Sequence, residues 1–337
     1  MQKFLVIQTA FIGDVVLATG IVEKLHRYFP DAEIDFMVRK GNEGLLKNHP
    51  YLHEVLVWDK KNGKFKNLWK LLRYVRGRRY DKVINVQRFA ATGLLTVFSK
   101  AKETIGFDKN PFSRFFTKSV PHIISTADKP LHEVERNVAL IKDFTDTSVA
   151  KPALYPSAAD YELVADYKKV PYITISPASV WFTKQYPVSK WISFVNNLPL
   201  SLPIYVLGGP GDAGLGVSIA NACYEHAVIN LSGKLNFLQS AALMRDAKMN
   251  YVNDSAPMHF ASSVNAPVTA VYCSTLPSFG FGPLADFSFI VEVQEALPCR
   301  PCGLHGRKAC PLKHFKCALD IHDEQLLETL GYVNQEM

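Results

Sequence analysis

The chain of 337 residues is 48% hydrophobic and 20% charged, which is the balance of a globular protein and not of a disordered one. Its length allows two domains of about 150 residues each. No apolar stretch approaches the roughly 20 residues that a membrane-spanning helix requires. Asp14 interrupts the apolar start, which is therefore better interpreted as a first strand than as a signal peptide. These features predict a cytoplasmic protein.

Positive charge is concentrated in the first half of the sequence. Residues 1–150 contain 25 Lys and Arg against 16 Asp and Glu, whereas residues 151–337 contain 13 and 15. Such an asymmetry predicts an anionic partner for the first half, since a basic surface attracts negative charge. The candidate partners are nucleic acid, a phospholipid surface and a phosphorylated substrate.

Strand-like and helix-like segments alternate through the first half, which predicts βαβ units and a parallel sheet. The predicted strands are Phe4–Thr9, Ala32–Val38, Glu54–Trp58, Asp81–Val86 and Glu103–Phe107. The predicted helices are Asp14–Phe29, Asn42–Asn48 and His132–Phe144, together with part of the segment 60–79.

Segment 60–79, KKNGKFKNLWKLLRYVRGRR, combines basic residues with apolar residues at helical spacing. One interpretation is a crossover helix with a solvated basic face. The other is a basic amphipathic surface that meets a membrane or an anionic lipid. Nucleic acid is a weaker candidate, because no recognised nucleic-acid-binding motif accompanies the charge.

After a proline-containing linker near Ala150–Asp166, the same alternation restarts. The predicted strands are Tyr172–Ser176, Pro203–Leu207, Val228–Leu231, Met249–Asn253 and Val268–Cys273. The predicted helices are Ser189–Leu198, Gly214–Tyr224, Phe237–Asp246 and Met258–Ser263. We therefore predict an α/β protein with two Rossmann-like doubly wound domains, 1–155 and 156–320, facing across a cleft. Residues 321–337 are predicted to add a C-terminal helix that packs back on the first domain.

Asp14 stands where the first predicted strand ends and the first predicted helix begins. In an open α/β sheet, ligands bind just past the carboxyl ends of the strands. An ordinary helix N-cap is the simpler explanation, because a carboxylate there accepts from free backbone N–H groups and suits the helix dipole. Asp14 is thus a candidate cap and a candidate catalytic carboxylate.

Two segments of the second half have residues suited to a nucleotide diphosphate at predicted strand-to-helix turns. In SPASVWFTKQYPVSKW, Ser179 and Thr183 can donate hydrogen bonds and Lys184 can neutralise phosphate charge. In LGGPGD, Asp212 could hold a ribose or a base. Neither a G-x-G-x-x-G after the first strand nor a P-loop is present, which excludes the standard dinucleotide and P-loop fingerprints.

A third segment, NDSAPMHFASS, completes this set. Asp254 or Ser255 should cap a helix whose free N–H groups face the cleft, with His259 one turn inside. A lone helical histidine is more often a packing residue than a ligand contact. Each segment is weak evidence by itself, but the three together favour a nucleotide diphosphate.

Four cysteines form a C-x2-C-x7-C-x6-C cluster near the C-terminus. They are Cys299, Cys302, Cys310 and Cys317. Four thiols grouped in a cytosolic chain suit zinc better than disulfides, although the spacing is shorter than that of usual zinc ribbons. A structural zinc site and a reduced or partly oxidised loop both remain open.

These motifs, together with FLVIQTAFIGDVVLAT and CRPCGLHGRKACPLKHFKC, resemble in order those of the bacterial lipopolysaccharide heptosyltransferases of glycosyltransferase family 9. The resemblance implies the two-Rossmann GT-B fold and inverting transfer of heptose from ADP-L-glycero-D-manno-heptose to the lipopolysaccharide inner core. It implies no catalytic metal. The cysteine-rich tail is more similar to heptosyltransferase II, which acts on the first heptose, than to the enzyme that acts on Kdo.

Carried over to this sequence, the resemblance makes Asp14 the general base and Lys184 the lysine that holds the donor phosphates. Asp212 falls near the acidic residue for the nucleoside. The donor-binding segment is matched by Asp254, Ser255 and His259. The sequence departs from the family at two positions, with Ala178 and Ala256 where many members have Gly. These departures bear on the identity of the sugar, because an added Cβ could change how the donor is oriented.

The remaining expectations concern the acceptor and the alternatives. Lys60, Lys61, Lys64 and Arg88 are candidates to hold an acidic lipid A–Kdo or heptose acceptor at the cytoplasmic face of the inner membrane. The protein is expected to be a monomer with no nucleic-acid partner and no required cofactor. Alternatives are another nucleotide-sugar transferase, a 2-epimerase, and a non-catalytic nucleotide-sugar-binding or lipid-binding protein.

Overall fold

The computed structural model describes residues 1–126, 129–199 and 202–336. Its contacts divide the chain into two units: the first comprises Met1–Ser125 and Leu131–Tyr155, and the main part of the second begins at Pro156. Each unit contains one six-stranded parallel sheet with helices beside it. Among the helices of the described residues, none combines the length and the apolar character needed to cross a bilayer.

The first unit is built on a sheet in the order β3-β2-β1-β4-β5-β6. Its strands are β1 (Lys3–Ile7), β2 (Glu33–Arg39), β3 (Glu54–Trp58), β4 (Lys82–Asn85), β5 (Glu103–Phe107) and β6 (Lys118–Val120). Its helices are α1 (Ile12–Tyr28), α2 (Lys64–Arg78), α3 (Ala90–Val97) and α4 (Glu133–Ala139). The strand order reverses between β1 and β4, which is the position where ligands bind in such sheets.

The second unit repeats this topology with the order β12-β11-β10-β7-β8-β9, so its reversal lies between β7 and β10. Its strands are β7 (Ile173–Ser176), β8 (Ile204–Val206), β9 (Val228–Asn230), β10 (Met249–Asn253), β11 (Val268–Tyr272) and β12 (Ser288–Glu292). Its helices are α5 (Ala158–Leu163), α6 (Val188–Asn196), α7 (Ala213–Ala222), α8 (Phe237–Arg245), α9 (Ala256–Ser263), α10 (Lys316–Leu319) and α11 (Asp323–Glu336).

Buried apolar runs explain why the central strands form. In β1 every residue from Phe4 to Ile7 is buried, as expected for a parallel strand covered on both faces. All ten predicted strands are present, with ends shifted by at most two residues. The two-sheet α/β architecture predicted from the sequence is therefore confirmed.

Several elements differ from the prediction. Three elements were not predicted because they carry little periodic signal. They are the three-residue edge strand β6, the half-exposed edge strand β12, and the helix α3, which contains Gly93. The predicted helix Asn42–Asn48 is a single 3₁₀ turn, Glu43–Leu45. The predicted helix His132–Phe144 ends at Ala139 and continues as a separate 3₁₀ turn.

The C-terminal helix α11 packs on the core of the second unit through its apolar side chains, and its packing on the first domain stays a prediction. Leu326 and Leu330 are buried in the same core as Trp191 of α6 and Tyr251 of β10. The hydroxyl of Tyr251 also donates to the carbonyl of Leu326 over 3.1 Å. The apolar face of α11 is thus covered by its own unit. Met337, the last residue of the predicted helical segment, lies outside the described residues.

Candidate active site

Asp14 lies in the first turn of α1, just past the carboxyl end of β1. The helix begins two residues earlier than predicted, so the N-cap is Phe11 and Asp14 occupies the third helical position. Its Oδ2 accepts from the backbone N–H of Phe11 over 3.2 Å. Asp14 therefore does support the helix start, but from inside the first turn, and its side chain stays half-buried.

The loop between β1 and α1 is held by three side chains from other segments. Gln87, after β4, donates from its amide to Gln8, and both residues are buried. Asn42 donates to the carbonyl of Ala10 over 3.1 Å. Lys60 donates to the carbonyl of Thr9 over 2.8 Å. These contacts give the loop before Asp14 a defined conformation, and a catalytic carboxylate requires such a fixed position.

A second carboxyl group lies within electrostatic reach of Asp14. Glu133, the first residue of α4, is buried, and its carboxylate accepts from Arg136 Nε over 2.8 Å. Burial raises the pKa of Glu133, and the negative charge of Asp14 adds to that rise while Arg136 opposes it. Glu133 could not be identified from the sequence, because its interaction with Asp14 depends on α1 and α4 packing together.

Of the four predicted acceptor-binding cations, Lys60 has the most defined environment. It is half-buried beside the Trp58 ring, with Nζ 4.7 Å from the ring centroid. Burial and the neighbouring charges of Arg39 and Lys64 lower the pKa of Lys60 to about 8. The side chains of Lys61, Lys64 and Arg88 are exposed.

In the second unit, the structure brings together two of the predicted donor-binding residues. Lys184, in a 3₁₀ turn after β7, places Nζ 2.7 Å from Oδ2 of Asp254, which directly follows β10. The hydroxyl of Thr275, after β11, donates to the same oxygen over 2.6 Å. Of the two residues predicted to cap this helix, Ser255 takes the N-cap position of α9, without a side-chain cap hydrogen bond, and Asp254 precedes it.

Asn253 and Thr183 hold the Lys184 segment against the strand ends. Buried Asn253 donates to the carbonyl of Pro177 over 2.7 Å and accepts from the N–H of Tyr186 over 3.0 Å. Buried Thr183 accepts from the Arg307 N–H over 2.7 Å. The hydroxyl oxygen of Thr183 also accepts from Ser274 over 2.9 Å, and its role as a hydrogen-bond donor to phosphate stays a prediction.

Gly306 explains how closely the cysteine-rich loop approaches this segment. Its φ is +77°, and a Cβ added there would lie 2.9 Å from Cγ of Lys184. A glycine is required at this position both by the left-handed backbone and by the close approach. The sequence carries no local signal for this contact, because Gly306 and Lys184 are far apart along the chain.

The other predicted donor-binding residues have local partners. Asp212 accepts from the Gly209 N–H over 2.8 Å, which holds the turn after β8. Ser255 donates to the carbonyl of Asn253 over 3.3 Å, Ser179 is half-buried, and His259 is only 5% exposed.

Cys299, Cys302 and Cys310 lie in the loop before α10 and Cys317 lies in α10, and within the described residues their thiols do not form a closed ligand set. Burial raises the pKa of Cys302, with further contributions from Cys299 and Cys310, and burial raises the pKa of Cys317 to about 12. Cys299 Sγ lies 3.8 Å from His314 Nε2.

Within the described residues, the group of at least three potential ligand residues whose ligand atoms all lie within 4.8 Å of one another consists of Asp35, His53 and Glu54. The guanidinium of Arg78 lies 3.2 Å from both Asp35 and His53. A positive charge at that distance opposes a cation, so we interpret this group as a charge-paired structural cluster.

The model of glycosyltransferase family 9 (heptosyltransferase) matches residues 68–312. The chain is 25% identical over 279 residues to lipopolysaccharide heptosyltransferase 3 of Escherichia coli, covering 79% of this chain and 82% of that protein.

Two solved structures share the fold. With E. coli ADP-heptose LPS heptosyltransferase II the TM-score is 0.80 at 21% identity, covering all of both chains. With a glycosyltransferase family 9 protein from Veillonella parvula the TM-score is 0.85 at 21% identity, covering 100% of this chain and 98% of that one. The predicted two-Rossmann GT-B fold is confirmed.

Proposed function

Because the chain belongs to glycosyltransferase family 9, we propose that this glycosyltransferase moves heptose from ADP-L-glycero-D-manno-heptose to the inner core of lipopolysaccharide. The acceptor sugar is a heptose or Kdo, and the anomeric configuration inverts. The observation that carries the proposal is the Lys184–Asp254 pair at the strand-order reversal of the second unit. A lysine held there by a carboxylate suits a diphosphate.

We assign Asp14 the role of general base. An acceptor hydroxyl is a weak nucleophile, so a carboxylate within hydrogen-bond reach should take its proton as the new bond to the anomeric carbon forms. The bond from that carbon to the donor diphosphate breaks, and ADP leaves with the electron pair.

We assign Lys184 the stabilisation of the departing diphosphate. An ammonium group has three N–H donors, so Lys184 can keep its bond to Asp254 and still donate to phosphate oxygens. The N-terminus of α9, beginning after Ser255, adds a positive dipole on the same side of the sheet. Charge stabilisation by these protein groups requires no catalytic divalent ion.

The acceptor is proposed to bind the first unit. Lys60, Arg39 and Lys64 concentrate positive charge near the carboxyl ends of β1 to β3, on the side where Asp14 lies. Such a cluster suits phosphate and carboxylate groups of a lipid A–Kdo or heptose acceptor. We accordingly place the protein at the cytoplasmic face of the inner membrane as a peripheral monomer.

The test combines donor binding with product analysis. Calorimetry should show binding of ADP-heptose and no comparable binding of UDP-sugars, and mass spectrometry should show one heptose added to a truncated core acceptor. Core oligosaccharide from a strain lacking the protein should lack the same heptose. Three other results would instead support the alternatives named above. Preferential binding of a UDP-sugar would indicate another nucleotide-sugar transferase, epimerisation of that sugar would indicate a 2-epimerase, and donor binding without transfer would indicate a non-catalytic binding protein.

For Cys299, Cys302, Cys310 and Cys317 we propose a structural zinc site without a part in the reaction. The thiols would have to move closer together to bind one ion, which a loop containing Gly303 and Gly306 can do. Metal analysis of protein purified without chelators should find one zinc per chain. A metal-free protein with four titratable thiols would show that the loop is simply reduced.

A further inference from the structure

Helix α2 carries two large aromatic side chains that its own unit leaves uncovered. Phe65 is 75% exposed and Trp69 is 57% exposed. They are four positions apart, so they lie next to each other on one side of the helix. The opposite side is buried through Leu68, Leu72 and Val75. The exposure of the aromatic pair is therefore a property of the folded unit and not of a frayed helix.

All charged residues in the segment that contains this pair are basic. Between Lys60 and Arg79 the chain contains nine Lys or Arg and no Asp or Glu. Lys66, Lys70 and Arg73 are exposed on the same helix. Lys64 Nζ lies 5.4 Å from the centroid of the Phe65 ring. We call Lys64, Phe65, Lys66, Trp69, Lys70 and Arg73 the aromatic–basic face.

This face is anchored close to the proposed catalytic carboxylate. The indole N–H of Trp58, at the end of β3, donates to the carbonyl of Lys64 over 3.1 Å and so fixes the start of α2. Lys60, four residues earlier, is bonded to Thr9 in the loop that leads to Asp14. The start of the aromatic–basic face and Asp14 thus share the carboxyl edge of one sheet.

We propose that the aromatic–basic face docks on an anionic phospholipid surface, with Phe65 and Trp69 inserted among the headgroups and the cations paired with phosphates. This deepens the membrane-surface location proposed above. Aromatic residues favour the interface between water and acyl chains, and basic residues near an anionic surface add attraction. Two aromatic side chains are too small an apolar area for a stable protein interface, which typically buries about 1,600 Å².

Docking in this way would serve the reaction proposed for the first unit. An acceptor whose lipid stays in the membrane presents its sugars at the membrane surface. The aromatic–basic face begins at the same sheet edge as Asp14. When this face binds the membrane, the residues proposed to bind the acceptor therefore lie close to the membrane surface. The face itself takes no part in bond making or breaking.

The experiment measures sedimentation of the full chain with phosphatidylethanolamine vesicles containing one quarter phosphatidylglycerol, and with phosphatidylcholine vesicles. Binding is expected only to the anionic vesicles and should fall with salt. The double variant Phe65→Ser/Trp69→Ser and the double variant Lys66→Glu/Lys70→Glu should each weaken binding at least tenfold. Phe115→Ser is the matched control, because Phe115 is 54% exposed beside Arg114 in the same unit.

A second readout reports insertion directly. Brominated acyl chains should quench the fluorescence of Trp69, and Trp69→Phe should remove that quenching while vesicle binding persists. Equal binding to both kinds of vesicle, or binding unaffected by the two double variants, overturns the proposal. Self-association abolished by Phe65→Ser/Trp69→Ser would instead identify a second copy of the chain as the occupant.

Failure of this proposal is distinguishable from failure of the proposed function. Vesicle binding requires neither donor nor acceptor. Conversely, transfer to a core acceptor stripped of its lipid requires no membrane. The Phe65→Ser/Trp69→Ser variant should therefore keep its transfer rate with this lipid-free acceptor, and its transfer rate should fall only with an acceptor embedded in vesicles.

Discussion

Lys184 Nζ and Asp254 Oδ2 lie 2.7 Å apart, with their side chains 16% and 8% exposed. The two residues follow β7 and β10, which are neighbours in the sheet although two other strands lie between them in the sequence. Breaking a mostly buried ion pair by removing one partner is costly, so each side chain holds the other in place. A lysine held in this way needs little reorganisation to receive a diphosphate.

Replacing Lys184 with Ala should lower the affinity for ADP-heptose at least tenfold, because a charged hydrogen bond to phosphate is worth about 1.5–3 kcal/mol. Calorimetry provides the measurement. Lys190→Ala is the matched control, since Lys190 also pairs with a carboxylate of the second unit, Asp323 at 3.8 Å, and is proposed to touch no substrate. Unchanged donor affinity in a folded Lys184→Ala protein would remove Lys184 from the donor site.

Asp14→Asn should reduce kcat by about 10²–10⁴-fold and leave donor affinity unchanged, because the amide cannot accept the acceptor proton. The amide oxygen can still accept from the Phe11 N–H, so the helix start is preserved.

The control for Asp14 comes from α4, where Glu135 occupies the same third helical position. Its carboxylate accepts from the His132 N–H over 2.6 Å. Glu135→Gln should leave the transfer rate unchanged. If Asp14→Asn behaves like Glu135→Gln, the carboxylate of Asp14 serves the helix start only.

The pH dependence of acceptor use should report Lys60. Because its pKa is about 8, the kcat/KM for the acceptor should fall as pH rises through 8, when the ammonium charge is lost. Lys60→Arg keeps its charge at that pH and should remove this limb of the profile. If the fall in kcat/KM near pH 8 persists in Lys60→Arg, another group is responsible for that fall.

The lowered pKa of Lys60 also makes the free energy of unfolding depend on pH. An unfolded lysine titrates near 10.4, so folding disfavours the charged form of Lys60. The resulting destabilisation is fully present below pH 8 and is relieved as pH rises from about 8 to about 10.4.

Arg78→Ala should destabilise the protein by about 3 kcal/mol in urea unfolding. The carboxylate of Asp35 is fully buried and accepts from Arg78 Nη2 over 3.2 Å and from the Tyr80 hydroxyl. Loss of the guanidinium leaves that charge poorly compensated. Arg73→Ala, at an exposed position of the same helix, should change stability by less than about 0.5 kcal/mol. Similar effects of the two variants would contradict the importance of this buried cluster.

Thr183→Val should both destabilise the second unit and weaken donor binding, whereas Thr183→Ser should do neither. The valine cannot accept from the Arg307 N–H or from the buried Ser274 hydroxyl, and an unsatisfied buried donor costs about 1–3 kcal/mol. Lys184 is the next residue, so loosening this contact displaces the proposed phosphate ligand. Thermal unfolding and ADP-heptose calorimetry measure the two effects, and normal values for both would contradict the contact with the cysteine-rich loop.

Local signals explain why so much of the fold was predictable. Apolar runs such as FLVI in β1 and periodic segments such as α1 are encoded in consecutive residues, so all ten predicted strands are present. The short edge strand β6 lacked such a signal. The burial of α11 in the core of the second unit was not predicted, because an amphipathic pattern specifies that one face of a helix is buried but not which residues cover it.

Sequence alone determined that this chain forms two parallel α/β sheets, that its basic residues gather in the first half, and that Asp14, Lys184 and Asp254 follow strand ends. Each of these rests on residue type and local spacing. Only the tertiary structure decided that Asp254 pairs with Lys184 instead of capping α9, that Thr183 faces the cysteine-rich loop, and that Glu133 lies near Asp14. The reason is that such contacts join residues distant along the chain, and only packing of strands and helices brings them within hydrogen-bond or Coulomb range.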